Sequence, residues 1–250
     1  MRADLPQVVG RRLDPEERYG LRLTLFGFAL VLVVVPFSTL LFQVVAGGTL
    51  TRLDGSLADR LNDWVHRSPA LVDGLVFVSW LGRPLSLTVL VGAAAVWAWR
   101  RGQRRLAVFL VVTSIGGGLV DSGVKILVDR PRPVVDHPVI TPFGKSFPSG
   151  HAMSSLVSYG AVLLALLPVL PRRWRLPAVL FTGLLVLAIG SSRILLGVHF
   201  LTDVLAGYVL GLAWLVGAVA VFEIWRTEEG GRPVEPLKEG VEPEAERSQS

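Results

Sequence analysis

The chain reads as an all-α integral membrane protein, a bundle of six membrane-crossing helices, and three observations carry that reading. Hydrophobic residues make up 51% of the 250 positions and charged residues 18%, against about 25% charged in ordinary soluble domains. The mean hydropathy is +0.54. The charges are clustered between uncharged runs long enough, at about 1.5 Å per residue, to cross a hydrocarbon core of about 30 Å. Together these argue against a soluble enzyme of one or two domains.

The first span is expected at 23–46. It follows a segment containing Asp4, Asp14, Glu16 and Glu17, and its apolar run is too long for a signal-peptide core, so it is read as retained, with 1–22 as an amino-terminal cytoplasmic segment. Between the first two spans Leu57, Leu61, Trp64 and Val65 recur at helical spacing, while Asp59, Arg60, Asn62, Asp63 and Arg67 point elsewhere. That amphipathic segment lies either on the membrane surface or packed on the bundle, and no chemistry is assigned to it. The second span, 84–99, is short; Pro84 suits a first helical turn, and Trp97 and Trp99 suit an interfacial belt. The remaining spans are expected at 106–128, 152–170, 176–192 and 200–225, with no internal repeat. The membrane domain therefore covers 23–226. Beyond it, 227–250 is polar, acidic and rich in Glu, Pro and Gly, a composition expected to be disordered.

Zero cysteines remove disulfides, thiolate zinc sites, iron–sulfur clusters and a cysteine nucleophile. The net charge of +5 and the pI near 10.2 are explained by topology better than by nucleic acid. Thirteen arginines fall on one side of the predicted bundle: Arg2, Arg11, Arg12, Arg18, Arg22, Arg100, Arg101, Arg104, Arg105, Arg172, Arg173, Arg175 and Arg226. Nine basic residues fall on the other: Arg52, Arg60, Arg67, Arg83, Lys125, Arg130, Arg132, Lys145 and Arg193. With three of those nine retained for chemistry, the positive-inside rule places both termini in the cytoplasm and the loops after spans one, three and five outside.

Those outward loops hold three polar clusters. Lys125-Ile-Leu-Val-Asp-Arg130-Pro131-Arg132-Pro133 closes the third span. It reads either as a headgroup anchor or as the cations and forked donors that phosphate oxygens need, with prolines restricting the guanidinium groups. Phe147-Pro148-Ser149-Gly150-His151 opens the fourth. It reads either as a plain Ser149 cap with an incidental histidine or as an anion site, where Gly150 lets a ligand approach the backbone N–H groups at the positive end of the helix. Ser192-Arg193-Ile-Leu-Leu-Gly-Val-His199-Phe-Leu-Thr-Asp203 joins spans five and six. His199 and Asp203 are four apart, so on a helix the carboxylate can hold one ring nitrogen protonated and leave the other free. A lone histidine there is often structural, but an intramembrane ionisable pair is by default a functional hypothesis.

The order Lys-x6-Arg-Pro, Pro-Ser-Gly-His, Ser-Arg-x5-His-x3-Asp resembles the three-part signature of the type 2 phosphatidic acid phosphatase family of membrane lipid phosphatases. Their active site is similar to that of the vanadium haloperoxidases. The signature is met by Lys125, Arg132, Pro133, Pro148 to His151, Ser192, Arg193, His199 and Asp203, and the resemblance is close over 106–212. It implies that His199 attacks phosphorus, Asp203 fixes its tautomer, and His151 protonates the leaving oxygen and then activates water. Lys125, Arg132, Arg193, Ser149 and Gly150 would hold the phosphate oxygens, with Ser192 and Pro148 as further motif members. Arg130 reads equally as another phosphate contact or as an interface anchor, Asp121 as a salt bridge that positions Lys125, and His66 and His137 as loop histidines. No cofactor or metal is expected, because Asp121, Asp129 and Asp136 are scattered around a basic centre.

The implied reaction is hydrolysis of a terminal phosphate through a phosphohistidine, on phosphatidic acid, phosphatidylglycerol phosphate or a polyprenyl pyrophosphate, in a bacterial cytoplasmic membrane. The abundance of Arg over Lys and of Ala, Val, Leu and Gly suggests a GC-rich genome and puts a polyprenyl carrier first. The partners are then the bilayer and its lipid phosphates. Two other readings stand beside this one: a vanadate-dependent haloperoxidase, against which six spans argue, and a catalytically silent lipid-phosphate binder or transporter, against which the nucleophile and its partners argue.

Overall fold

A computed structural model describes residues 33–140, 143–228 and 240–241, with side chains described as far as residue 225 and at 240–241. Every extended regular element among the described residues is a helix. In chain order they are α1 (Val33–Val45), α2 (Thr49–His66), α3 (Pro69–Leu81) and α4 (Pro84–Arg100). Then follow α5 (Arg104–Val128), α6 (Gly150–Leu166), α7 (Arg172–Leu195) and α8 (Leu201–Glu228).

Among the described residues four helices are long and apolar enough to cross a membrane, and six spans result if each of two bent pairs is counted as one. The bends have local causes. Gly47, at φ +63°, ends α1, and α2 leaves at 77°. Ser68 caps α3 by accepting from the Leu71 N–H, and Pro84, at the first position of α4, has no N–H with which to continue the preceding ladder. Hence α3 and α4 meet at 46° across Gly82 and Arg83. The helix α5 stops at Asp129, in the left-handed region at φ 51°, before two prolines that cannot extend it.

The α6 helix is central. It packs against α4, α5, α7 and α8, and 61% of its apolar stretch is shielded, against 33% or less in the other three spans. Contact with α8 is close because Gly207 and Gly211 lie one turn apart: a Cβ on Gly207 would come within 2.7 Å of the Ser149 carbonyl, and one on Gly211 within 3.1 Å of the Met153 carbonyl. Small residues so spaced let two helix backbones approach within a membrane. A core of Leu106, Phe109, Leu110, Ala161, Leu164 and Phe222 fills the end where α4 meets α5. Val112, Ile115 and Leu119 of α5 and Leu180, Phe181 and Leu184 of α7 face outward, as a lipid solvent permits. The opposite end, where α5 and α7 finish and α6 and α8 begin, carries the buried polar groups.

Spans three to six lie where the sequence puts them. Of the first, only 33–46 falls within the described residues, and the amino-terminal 1–22 lies outside them. The second is preceded by a helix, α3, that the sequence reading left out. The amphipathic helix α2 packs against α3, α7 and α8, and its buried face is Asp54, Ala58, Asn62 and Val65 while Trp64 is exposed. That corrects the expected outward placement of Asn62, which instead pins the 134–146 loop by bonds in both directions with the His137 backbone. In the region taken as a tail, α8 continues to Glu228, and Val241 is buried, its N–H donating to the Leu164 carbonyl. The rest of that tail is outside the described residues.

Candidate active site

His199 sits in the short link between α7 and α8. Gly197, at φ +67°, turns the chain out of α7, and the Val198 and His199 N–H groups return to the Arg193 carbonyl. The imidazole is 2% exposed. Its Nε2 lies 3.0 Å from Arg132 Nη1; a guanidinium can only donate, so this nitrogen presents its lone pair and the proton resides on Nδ1. On that side Asp203 Oδ2 is 3.5 Å away and Ser146 Oγ 3.4 Å away. The Ser146 hydroxyl donates to the same Asp203 oxygen, as does the Phe200 N–H at 2.9 Å. Burial pushes the His199 pKa down to about 4, against the pull of Asp203, and Arg132 and Arg193 push the same way as burial. At neutral pH the ring is therefore uncharged, with its lone pair toward a guanidinium.

Arg132 is held by three backbone carbonyls. Its Nε donates to Gly144 at 3.0 Å, Nη2 to Phe143 at 3.2 Å and Nη1 to Val198 at 2.9 Å. Burial lowers its pKa, with Asp203 and Asp121 opposing the change. Lys125 pairs with Asp121 one turn earlier on α5, as the spacing predicts. This pair lies against Gly150: a Cβ there would stand 2.8 Å from Lys125 Nζ and 2.9 Å from Asp121 Oδ2. The start of α6 is tied to α8 by the Ser149 N–H, which donates to the Asp203 carbonyl at 2.9 Å. Arg193 Nη1 reaches the buried Ser79 hydroxyl of α3, and the His151 ring lies against Gly82, where a Cβ would approach its Cδ2 to 3.2 Å.

Several buried polar atoms at this end have no partner among the described residues: Ser149 Oγ, His151 Nε2, Arg193 Nε and Asp121 Oδ1. Unsatisfied buried groups are rare and costly unless a ligand or water meets them. Three of the four are donors or potential donors on residues of the three motifs, beside an anchored arginine and a neutral imidazole. Such an arrangement can receive the oxygens of an anion and offer a nucleophile and an acid–base group. The neighbouring carboxylates Asp54, Asp121 and Asp203 each pair with a cation of the chain itself.

The structure thus brings Lys125, Arg132, Ser149, Gly150, His151, Arg193, His199 and Asp203 to one end of the bundle. Ser149 holds the N-cap position of α6, but its hydroxyl makes no cap bond. Ser192 turns its hydroxyl back to the Ile189 carbonyl at 2.6 Å, and Pro148 is a buried cis-proline. Arg130 is neither at the interface nor turned to an anion site: it is 7% exposed and engaged with Asp54, Thr202 and Asp203. His66 and His137 stack on each other at 4.1 Å, with Asn62 fixing the His137 backbone. Sequence reasoning missed Ser146, Ser79 and Asp54. Ser146 lies three residues before Ser149 and could have been found by extending the second motif; nothing local marks the other two.

A family model described as the PAP2 superfamily matches 105–226. Phosphatidylglycerophosphatase B of Bacillus subtilis (strain 168) is 32% identical over 151 residues, covering 58% of this chain and 72% of that protein. Decaprenylphosphoryl-5-phosphoribose phosphatase of Mycobacterium tuberculosis is 44% identical over 101 residues, 38% of this chain and 49% of the relative. Among solved structures, a transmembrane PAP2 type phosphatidylglycerolphosphate phosphatase from Bacillus subtilis superposes with a TM-score of 0.69 at 25% identity. That match covers 80% of this chain and 98% of the other.

Proposed function

The chain belongs to the PAP2 superfamily, and from that premise we propose that it hydrolyses the terminal phosphate of a membrane lipid phosphate or pyrophosphate at the outer face of the cytoplasmic membrane, through a phosphohistidine on His199. The observation that carries the proposal is the neutral His199 ring, its Nε2 lone pair 3.0 Å from the anchored Arg132, among partnerless polar atoms of Ser149, His151 and Arg193.

In the first step Nε2 attacks phosphorus in line, and the bond to the lipid oxygen breaks with its electron pair on that oxygen, which His151 protonates. Arg132, Arg193, Lys125, Ser149 and the Gly150 N–H take the phosphoryl oxygens, where charge must be stabilised as the group transfers. Asp203 and Ser146 hold the Nδ1 proton and support the cation that forms. Water then attacks the phosphohistidine, giving its proton to His151, and inorganic phosphate leaves. The carboxylates nearby are already paired with Lys125 and Arg130, so no step is assigned to a divalent cation.

The relatives' names supply the substrate class, a phosphate ester on a membrane lipid. The relative and the solved structure named for phosphatidylglycerol phosphate are covered over 72% and 98% of their length, against 49% for the decaprenylphosphoryl relative, which favours that lipid ahead of polyprenyl substrates and phosphatidic acid. The outward orientation is supported by the cluster Arg100, Arg101, Arg104 and Arg105 at the end of the bundle remote from His199.

The deciding experiment measures phosphate released by the purified, detergent-solubilised protein in EDTA from phosphatidylglycerol phosphate, phosphatidic acid and a polyprenyl pyrophosphate, with His199→Ala alongside. Release from one lipid that is lost in the variant is expected. Release that persists in His199→Ala would overturn the phosphohistidine; no release from any lipid by folded protein would leave a phosphate-binding or transport role.

A further inference from the structure

Behind His199, on the side away from Arg132, lies a second buried group of charges. Asp54 of α2, Arg130 after α5, and Thr202 and Asp203 at the start of α8 are 2%, 7%, 3% and 0% exposed. Arg130 Nη2 donates to Asp54 Oδ2 at 2.8 Å; its Nη1 donates to Asp203 Oδ1 at 2.6 Å and to Thr202 Oγ1 at 2.7 Å. Asp54 in turn accepts from the Thr202 N–H at 3.1 Å and from the Thr202 hydroxyl. The Phe200 ring covers the guanidinium at 4.1 Å. Two carboxylates share one cation, so the group carries one net negative charge.

We propose that Asp54 and Arg130 are positioning residues for His199: Arg130 fixes the Asp203 carboxylate, and Asp54 draws off part of the guanidinium so that Asp203 keeps a negative field for the imidazole. The inference rests on the reading of His199 as nucleophile. Asp203 bound to Arg130 alone would be a neutral pair and would give little support to a cation forming on the ring 3.5 Å away. With Asp54 present the group keeps its charge in a buried, weakly screened setting, where charge–charge effects reach further than in water. The other groups facing the ring are Arg132 from the loop after α5, Arg193 of α7 and His151 of α6. They are basic, which leaves Asp203, among the described residues, as the anion that meets the imidazole. The same arrangement explains why a helix with a largely polar sequence packs over the start of α8, since Arg130 buried beside Asp203 alone would lack a partner for Nη2.

The chain has four histidines, so the test is a nitrogen NMR titration of the full-length protein in detergent, assigned by single His variants, together with the pH dependence of dioctanoyl phosphatidic acid hydrolysis. Arg130→Gln leaves two uncompensated carboxylates and should raise the His199 titration midpoint by about one unit or more; Asp54→Asn neutralises the group and should lower it, with kcat reduced about tenfold, the equivalent of one unit, and KM little changed. Asp54→Glu should restore turnover. The double variant Asp54→Asn with Arg130→Gln keeps the net charge of −1 and should titrate near the wild-type midpoint. Midpoints that move in the same direction, or do not move, in folded single variants overturn the proposal. If a single variant fails to fold, the double variant decides: a midpoint displaced by a full unit overturns it. Should the wild type hydrolyse no lipid, the proposed function fails while the titration still settles the charge relation.

Discussion

At His199 two opposing effects set the useful pH range. An exposed histidine titrates near 6.5, a nominal acid limit that the surroundings of the ring can move. Burial carries the folded value down to about 4, with Arg132 and Arg193 adding to it and Asp203 only partly resisting. Attack needs the neutral ring, so activity is present above the folded pKa and lost as pH falls through it. We expect kcat/KM, corrected for ionisation of the substrate phosphate, to hold to about pH 5 and to fall below about 4; a limb near 6.5 would contradict the buried placement. His199→Ala should abolish turnover and His151→Ala should come close to doing so. Ser146→Ala should lower kcat by about one to two orders of magnitude with the fold intact, because it removes a bond to a buried charged group, a loss of about 1.5–3 kcal/mol.

Much of this site was legible because the three motifs carry the residue types that the fold gathers at one end of the bundle, although Ser192 turns its hydroxyl back to its own helix. Lys125, Arg132 and Arg193 are cations, Gly150 gives close approach, and His199 and Asp203 are one turn apart. What was not legible depends on contacts between distant segments. Asp54 lies 76 positions from Arg130 and Ser79 lies 114 from Arg193, and no local spacing relates them. The same holds between elements. The four strongly apolar spans were readable from hydropathy, whereas α3, only 13 residues long, falls below a span's length and shows itself only as one arm of a bent pair. The rotation of α2 was misjudged because its buried face holds Asp54 and Asn62, polar residues satisfied by partners that periodicity ignores. Where α6 meets α8 the elements make a sharper claim. Gly207→Val places branched carbons where a single Cβ would already stand 2.7 Å from the Ser149 carbonyl, and overpacking of this kind costs about 1–3 kcal/mol. Thermal melting in detergent should fall by several degrees and activity with it, since Ser149 and His151 ride on the displaced end of α6; an unchanged Tm would show that the helices do not approach so closely.

For the whole molecule the feature of greatest consequence is the side of the membrane to which the bundle presents its site. The fold fixes a relation that topology must respect: the ends of α5 and α7 and the starts of α6 and α8 share one end, and the turns at 101–103 and 170–171 share the other. Arginines flank the second end, where Arg101 lies over Trp97 at 4.8 Å and Arg104 over Trp99 at 5.5 Å, the pairing expected of an interfacial belt. The positive-inside rule would keep that charge in the cytoplasm, and the proposed orientation, with the His199 end outward, rests on it. Because the chain has no cysteine, single cysteines report this without background. Lys145→Cys, in the half-exposed pair with Asp129, should react with a membrane-impermeant maleimide in intact cells, and Arg100→Cys, exposed at the end of α4, only after the cells are opened. The reverse pattern would turn the site to the cytoplasm and restrict it to lipid phosphates of the inner leaflet, where a carrier pyrophosphate left on the outer surface could not be the substrate.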